Sequence, residues 1–195
     1  MIIYLHGFRS APASIKAQAL QRHMAAKGLG EEFWCELLPP EPDAAIALVE
    51  RQIARCRSAR PALAPTLVGS SLGGYYATHL AEKHALKAVL VNPAVVAPLS
   101  LEAYVGEQTN LYTGETFDFK EAYIGQLRAM DVATLARPQD FWLMVETGDE
   151  VLDYRDAVAK YAGARQTVLE GGDHGFSRWT DYLDEVIAFA GLAAR

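Results

Sequence analysis

Residues 67–77 read LVGSSLGGYYA: two apolar residues, a glycine, two serines, an apolar residue, two glycines and two tyrosines. Apolar residues that run into glycine and then into a helix-compatible stretch mark a strand ending in a sharp turn. Within it, Gly69-x-Ser71-x-Gly73 gives one serine a glycine two positions to either side. That is the spacing a strained strand-to-helix turn requires, because any larger side chain at the flanking positions would collide across it. A serine held there projects its hydroxyl from the sheet edge, and the following helix aims its N-terminus at the same place, favouring developing negative charge. Ser70 fits less well, since its flanking positions are Val68 and Leu72, and it reads as a supporting turn residue. Five residues alone also describe an ordinary tight turn, so the surrounding chain has to decide.

Working outward, short apolar runs alternate with helical patterns. The runs at 1–5, 33–38, 65–69, 86–91, 141–147 and 165–169 read as strands, the first closed by His6-Gly7 and the others by glycine, proline or asparagine, or by a glutamate before paired glycines. Helical spacing fills 13–27, 43–57, 72–84, 151–161 and 178–191. Strands of nearly unbroken apolar character, separated by helices, predict a mainly parallel sheet covered on both faces, an α/β fold. Residues 97–138 break the rhythm with proline, glycine, polar residues and the aromatics Tyr104, Tyr112, Phe117, Phe119 and Tyr123. That is too long for a plain loop. It reads as a cap-like insertion with some helix of its own, over one end of the sheet, in a single domain spanning 1–195.

Composition bounds the function. The chain has 195 residues, 51% of them apolar and 22% charged, which is enough for a substantial core. The net charge of −6 argues against nucleic acid or an anionic membrane surface as partner, since both want a basic face. No run approaches the roughly 20 apolar residues of a membrane span. The start MIIYLHGF has no basic n-region of a signal peptide. Cys35 and Cys56 make no metal-binding spacing and read as two buried thiols in a reducing compartment, so a cytoplasmic location is expected. No metal and no cofactor is expected. Oligomeric state is left open.

Ligands of an open parallel sheet bind beyond the carboxyl ends of its strands. His6-Gly7-Phe8 follows the first strand, Gly148-Asp149-Glu150 the fifth, and Gly171-Gly172-Asp173-His174-Gly175 the last. A serine hydroxyl needs a base, and His174, between glycines at the correct sheet edge, is the candidate. His23, His79 and His84 lie on helical patterns as surface or packing groups, and His6 reads as a structural loop group. The base needs a carboxylate to orient it. Asp149 is favoured over Glu150, Asp153 and Asp173, since Asp173 adjoins the histidine and reads as a loop hydrogen-bonder. The order Ser71, Asp149, His174 is that of α/β-hydrolases. An oxyanion would be held by the N–H of Leu72, after the serine, and of Phe8, where Gly7 lets the backbone approach.

The segments YLHGFRSAPAS, GSSLGGYYAT, NPAV, LYTGETF, TGDEVLDYRDAV and EGGDHGF resemble the small bacterial esterases of the YqiA type, within the α/β-hydrolase superfamily. The resemblance runs from Met1 nearly to the C-terminus. It implies a minimal α/β-hydrolase lacking the first two strands of larger relatives. It also implies hydrolysis of short acyl esters or acyl-CoA thioesters, a small-molecule substrate, and Ser71, Asp149 and His174 as catalytic residues. The competing class is a non-catalytic binding module of the same fold, which loss of any of the three would favour. A dehalogenase-like enzyme would want an acid at position 71. Tyr75 and Tyr76 could line an acyl pocket but read as core. Arg9 and Lys16 could meet an anionic substrate but read as solvated surface groups.

Overall fold

The computed structural model describes residues 1–95 and 101–192. Strands β1 (Ile2–Leu5), β2 (Phe33–Trp34), β3 (Thr66–Ser70), β4 (Lys87–Val91), β7 (Phe141–Glu146) and β8 (Arg165–Leu169) form one parallel sheet in the order β2-β1-β3-β4-β7-β8. A separate antiparallel hairpin comprises β5 (Gly106–Thr109) and β6 (Thr116–Phe119). The helices are α1 (Ile15–Ala26), α2 (Pro42–Ala59), α3 (Leu72–His84), α4 (Glu121–Ala129), α5 (Tyr154–Lys160) and α6 (Leu183–Phe189).

Successive strand residues point to opposite faces, and here both faces are apolar. Ile3, Leu5, Leu67, Leu90 and Leu143 pack with residues of α2, α3 and α4. Ile2, Tyr4, Val68, Val89, Trp142 and Met144 pack with residues of α1 and α6. The central strands are therefore shielded on both sides, with each fully buried large side chain contributing about 1.5–3 kcal/mol. The register pairs Leu5 with Gly69, Ser70 with Val91, Val91 with Met144, and Glu146 with Leu169. The carboxyl ends of the central strands thus stand side by side, and the loops that leave them share one edge.

Two elements differ from the sequence pattern. The strand expected over 33–38 pairs only at Phe33 and Trp34, because it lies at the sheet edge and turns toward Pro39-Pro40. The segment expected as an insertion with helix contains α4 but also the hairpin. Its strands GEQT and TFDF are short and half exposed, so they carry little apolar signal. Residues 97–100 of that segment lie outside the described residues. The hairpin is tied to the loop after β1: Asn110 Nδ2 donates to the Ser10 carbonyl at 2.8 Å, and Leu111 N to the Arg9 carbonyl at 2.8 Å. The Phe8 ring meets Tyr104, Phe117 and Phe119 edge-on. Among the described residues no helix is long and apolar enough to cross a membrane.

Candidate active site

Ser71 sits between β3 and α3 with φ 55° and ψ −122°, a backbone conformation that residues with a side chain rarely adopt. The surrounding bonds hold it there. Ser71 N donates to the Val91 carbonyl at 3.1 Å, and its own carbonyl accepts from Gly74 N at 2.9 Å and Ala94 N at 3.1 Å. The glycines are dictated by space. A Cβ on Gly69 would stand 2.3 Å from the Gly73 carbonyl oxygen, and one on Gly73 2.0 Å from that of Leu5. Gly74, which the sequence motif does not include, is equally constrained, with Pro93 Cβ 2.6 Å from where its own Cβ would be.

The fold brings His174 and Asp149 to this serine. His174 Nε2 lies 3.1 Å from Ser71 Oγ, and its Nδ1 lies 2.8 Å from Asp149 Oδ2. The other Asp149 oxygen accepts from Val151 N at 2.9 Å and Leu152 N at 2.8 Å. Burial pushes the Asp149 carboxyl upward, but the His174 N–H and these amides outweigh it and hold it below the usual carboxylate value. The carboxylate is thus ionised at neutral pH. It accepts the Nδ1 proton of the imidazole, which turns Nε2 toward the serine hydroxyl.

The other acids go elsewhere. Glu150 Oε2 accepts from the His174 backbone N–H at 3.0 Å, and Asp153 caps α5 by accepting from Arg155 N at 3.0 Å. His23 pairs with Asp184, His84 with Glu50, and His79 with the Met130 carbonyl. His6 is buried; its Nε2 accepts from Leu38 N at 3.0 Å and its Nδ1–H donates to the Gly7 carbonyl at 3.0 Å. A ring that accepts an N–H at one nitrogen and donates from the other is neutral. Burial pushes its pKa down, against the pull of that carbonyl.

Gly7 packs directly over the serine, with a Cβ there only 3.2 Å from Ser71 Cβ. Among the described residues neither Phe8 N–H nor Leu72 N–H meets an acceptor. Both amides are left without a protein partner among these residues.

Sequence reading missed the group that holds the histidine loop. Glu146, fully buried at the end of β7, accepts from Asp173 N and Ser177 N, both at 2.9 Å, and from Arg178 Nε at 2.8 Å. Burial pushes its pKa up, yet Arg178 and these amides bring it below the ordinary carboxylate range. Asn92 completes the hold, donating from Nδ2 to the carbonyls of Asp173 and His174 at 3.0 and 3.1 Å while its Oδ1 accepts Glu146 N at 3.0 Å. Nothing in the pattern of an apolar strand flags its last residue as such a hub. Lys16 is likewise not a solvated group: it is half-buried and its Nζ donates to the Gly175 carbonyl at 2.7 Å. Arg9 donates from Nε to the Thr109 carbonyl at 2.9 Å.

Ser71 and His174 open into a cavity of about 440 Å³ that Lys16, Tyr112 and Trp179 also line. A smaller recess of about 120 Å³ begins at Gly7 and Phe8 and is lined by Leu37, Leu38, Leu72, Tyr76 and Phe117. Tyr75 is core, its hydroxyl donating to the Leu127 carbonyl at 2.7 Å. Among the described residues no group of three or more His, Cys, Asp or Glu side chains could hold a metal ion.

A family model described as "Uncharacterised protein family (UPF0227)" matches residues 1–191. Among solved structures, Est1E from Butyrivibrio proteoclasticus is 13% identical with a TM-score of 0.71, over 97% of this chain and 87% of that one. The esterase domain of a Rhodothermus marinus protein is 18% identical with a TM-score of 0.66, over 97% and 85%. Mouse alpha/beta hydrolase domain-containing protein 10 is 16% identical with a TM-score of 0.63, over 96% and 89%. At such identities the likeness speaks to architecture, and the architecture is an α/β-hydrolase fold in minimal form.

Proposed function

Because the chain belongs to the family UPF0227, the YqiA family, matched over residues 1–191, and has an α/β-hydrolase fold, we propose that it is a serine hydrolase of carboxylic esters. One observation carries the reading: His174 lies at once 3.1 Å from Ser71 Oγ and 2.8 Å from Asp149. A lone turn serine or a structural histidine would need neither contact.

Ser71 Oγ attacks the acyl carbon while His174 Nε2 takes its proton. Asp149 stabilises the imidazolium that forms. The N–H groups of Phe8 and Leu72 hold the oxyanion, where fixed donors in a site shielded from water count most. His174 then returns the proton to the leaving group as the tetrahedral intermediate collapses. Water, deprotonated by the same histidine, releases the acid from the acyl-enzyme. The small apolar recess beside Leu72 and Tyr76 suits a short acyl chain. Acyl-CoA thioesters present the same carbonyl and form the second substrate class. The esterases among the structural neighbours accord with this chemistry.

We take residues 1–195 as one hydrolase domain in which about 97–138 is a cap-like insertion. A cytoplasmic setting accords with the free thiols of Cys35 and Cys56. The test is a panel of nitrophenyl esters and acyl-CoAs with wild type and Ser71→Ala. Short chains should turn over best, and the variant should lose at least about 10³ in kcat. A fluorophosphonate should label Ser71. Retained activity in Ser71→Ala, or labelling elsewhere, would overturn the assignment.

A further inference from the structure

Residues 8–10 carry Phe8 N–H, one of the two oxyanion donors proposed above. Among the described residues they make three hydrogen bonds, and all three run to residues 109–111, where β5 enters the hairpin turn. Arg9 Nε donates to the Thr109 carbonyl at 2.9 Å, Leu111 N to the Arg9 carbonyl at 2.8 Å, and Asn110 Nδ2 to the Ser10 carbonyl at 2.8 Å. The loop needs this restraint. Arg9 stands at φ 55°, a left-handed conformation that a residue with a side chain keeps only when its surroundings impose it. An oxyanion donor must also be fixed before the reaction begins, because one that first has to reorient stabilises the transition state less.

Asn110 faces both partners of this contact. It is 8% exposed, although the strands on either side of the turn are half exposed. Its Oδ1 closes the turn by accepting Tyr112 N at 2.9 Å and Thr113 N at 3.1 Å. Its backbone N donates to the Glu115 carbonyl at 2.9 Å, and its carbonyl accepts from Gly114 N at 3.0 Å. The side-chain amide is thereby fixed in rotation. Only one orientation satisfies both ends: the turn N–H groups demand the oxygen, and the Ser10 carbonyl demands the NH2. Aspartate in this place would offer acceptors alone, and serine would be too short to cross to Ser10. The Phe8 ring is gripped by the same insertion, edge-on to Phe119 at 5.0 Å, Tyr104 at 5.6 Å and Phe117 at 6.0 Å between centroids. Phe8 is thus held through its ring and through the two carbonyls that follow it.

We propose that Asn110 is a positioning residue for ester hydrolysis: through the Ser10 carbonyl it sets the direction in which Phe8 N–H meets the oxyanion. This rests on the serine-hydrolase reading. The insertion then does more than cover one end of the sheet, since its hairpin turn fixes a group that acts in the rate-determining chemistry.

Two variants separate the donor from the turn. Asn110→Asp keeps the acceptor for Tyr112 N and Thr113 N and loses the donor. Asn110→Ser keeps a neutral hydroxyl for the turn and cannot reach Ser10. Thr113→Ala is the control: it removes the Glu115 N to Thr113 Oγ bond inside the hairpin, at 3.2 Å, and leaves the ties to the loop alone. With 4-nitrophenyl acetate, kcat per fluorophosphonate-labelled Ser71 should fall at least about tenfold in both Asn110 variants, with KM within about twofold of wild type. Thr113→Ala should match wild type. The oxyanion itself is read with O-(4-nitrophenyl) thionoacetate, which carries C=S in place of C=O. Sulfur accepts hydrogen bonds weakly, so a displaced Phe8 N–H slows the oxygen ester far more than the thionoester. The oxygen-to-sulfur ratio of kcat/KM should therefore drop at least about fivefold in both Asn110 variants. The midpoint of the pH profile should stay at its wild-type value, since His174 and Asp149 keep their contacts. An unchanged kcat or ratio overturns the assignment. So does an effect confined to KM, which would make Asn110 a wall of the acyl recess, or a shifted pH midpoint, which would place the effect on the base. If circular dichroism shows Asn110→Asp unfolded, Asn110→Ser decides; if neither folds, the residue is chiefly structural and the assignment falls. A wild type that cleaves no ester and takes no label at Ser71 fails the hydrolase reading, and this assignment with it. An active wild type with unaffected Asn110 variants fails the assignment alone.

Discussion

A Cβ on Gly172 would stand 1.9 Å from Oε2 of Glu146. The glycine, at φ +74°, lets the loop wrap tightly enough for Asp173 N and Ser177 N to reach the buried carboxylate. Gly172→Ala should therefore cost at least about 3 kcal/mol, combining positive-φ strain with a clash. Glu146→Gln keeps the shape but removes the charge that Arg178 pairs with and turns an amide toward N–H groups, for about 2–4 kcal/mol. Chemical denaturation reads both values. The rate of fluorophosphonate labelling at Ser71 should fall in both variants, because the loop they loosen carries His174.

Asp149→Asn should leave the backbone of the 149–152 turn in place, since one carbonyl oxygen can still accept Val151 N and Leu152 N. Its amide would then face His174 and favour the wrong imidazole tautomer. The expected outcome is a loss of about 10³–10⁴ in kcat with little change in melting temperature. A full loss of folding, seen by circular dichroism, would show instead that the carboxylate is chiefly structural.

Glycine substitutions should divide sharply by location. Gly69→Ala places its Cβ against the Gly73 backbone at 2.3 Å and should unfold the protein or cost more than about 3 kcal/mol. Gly125 is exposed on α4, and a methyl group added there would meet nothing within 4 Å. It should accept alanine with a gain of about 0.5–1 kcal/mol. Thermal melts of the two variants check the contrast.

Acid should weaken the fold partly through Glu32. The Arg60 guanidinium, at 2.6 and 2.7 Å from its two oxygens, holds that carboxyl at about 2 instead of its usual 4.5. A depressed carboxyl contributes stability above its unfolded pKa and loses it as pH falls through the folded one. The window is therefore about pH 4.5 down to 2. About 1–2 kcal/mol should disappear across it in wild type. In Glu32→Gln that part of the slope should be absent from urea melts taken at stepped pH.

How far the sequence could be read depended on what each position does. The sheet was legible because its strands are buried on both faces and leave continuous apolar runs. The serine turn was legible because steric crowding at Gly69 and Gly73 leaves a fixed spacing. Asp149 and His174 could be selected as the polar residues after strand ends, and the fold places them within hydrogen-bond distance of one another and, through His174, of Ser71. Glu146 and Lys16 were not legible. One is the polar last residue of an apolar strand and the other a lysine on a helix, and their partners lie 27 to 159 residues away at one loop. The hairpin was missed because half-exposed strands carry too few apolar residues to announce themselves.

The Glu146 hub also bears on biosynthesis. Its carboxylate enters the sheet interior with β7, while the donors that compensate it belong to residues 173–178. A nascent chain that has emerged only through β7 holds an acid it cannot bury without cost, so that strand gains little by docking early. Completing the sheet edge and delivering His174 to Ser71 become one late event. A ribosome-bound fragment ending before residue 172 should carry neither a stable sheet nor a reactive serine.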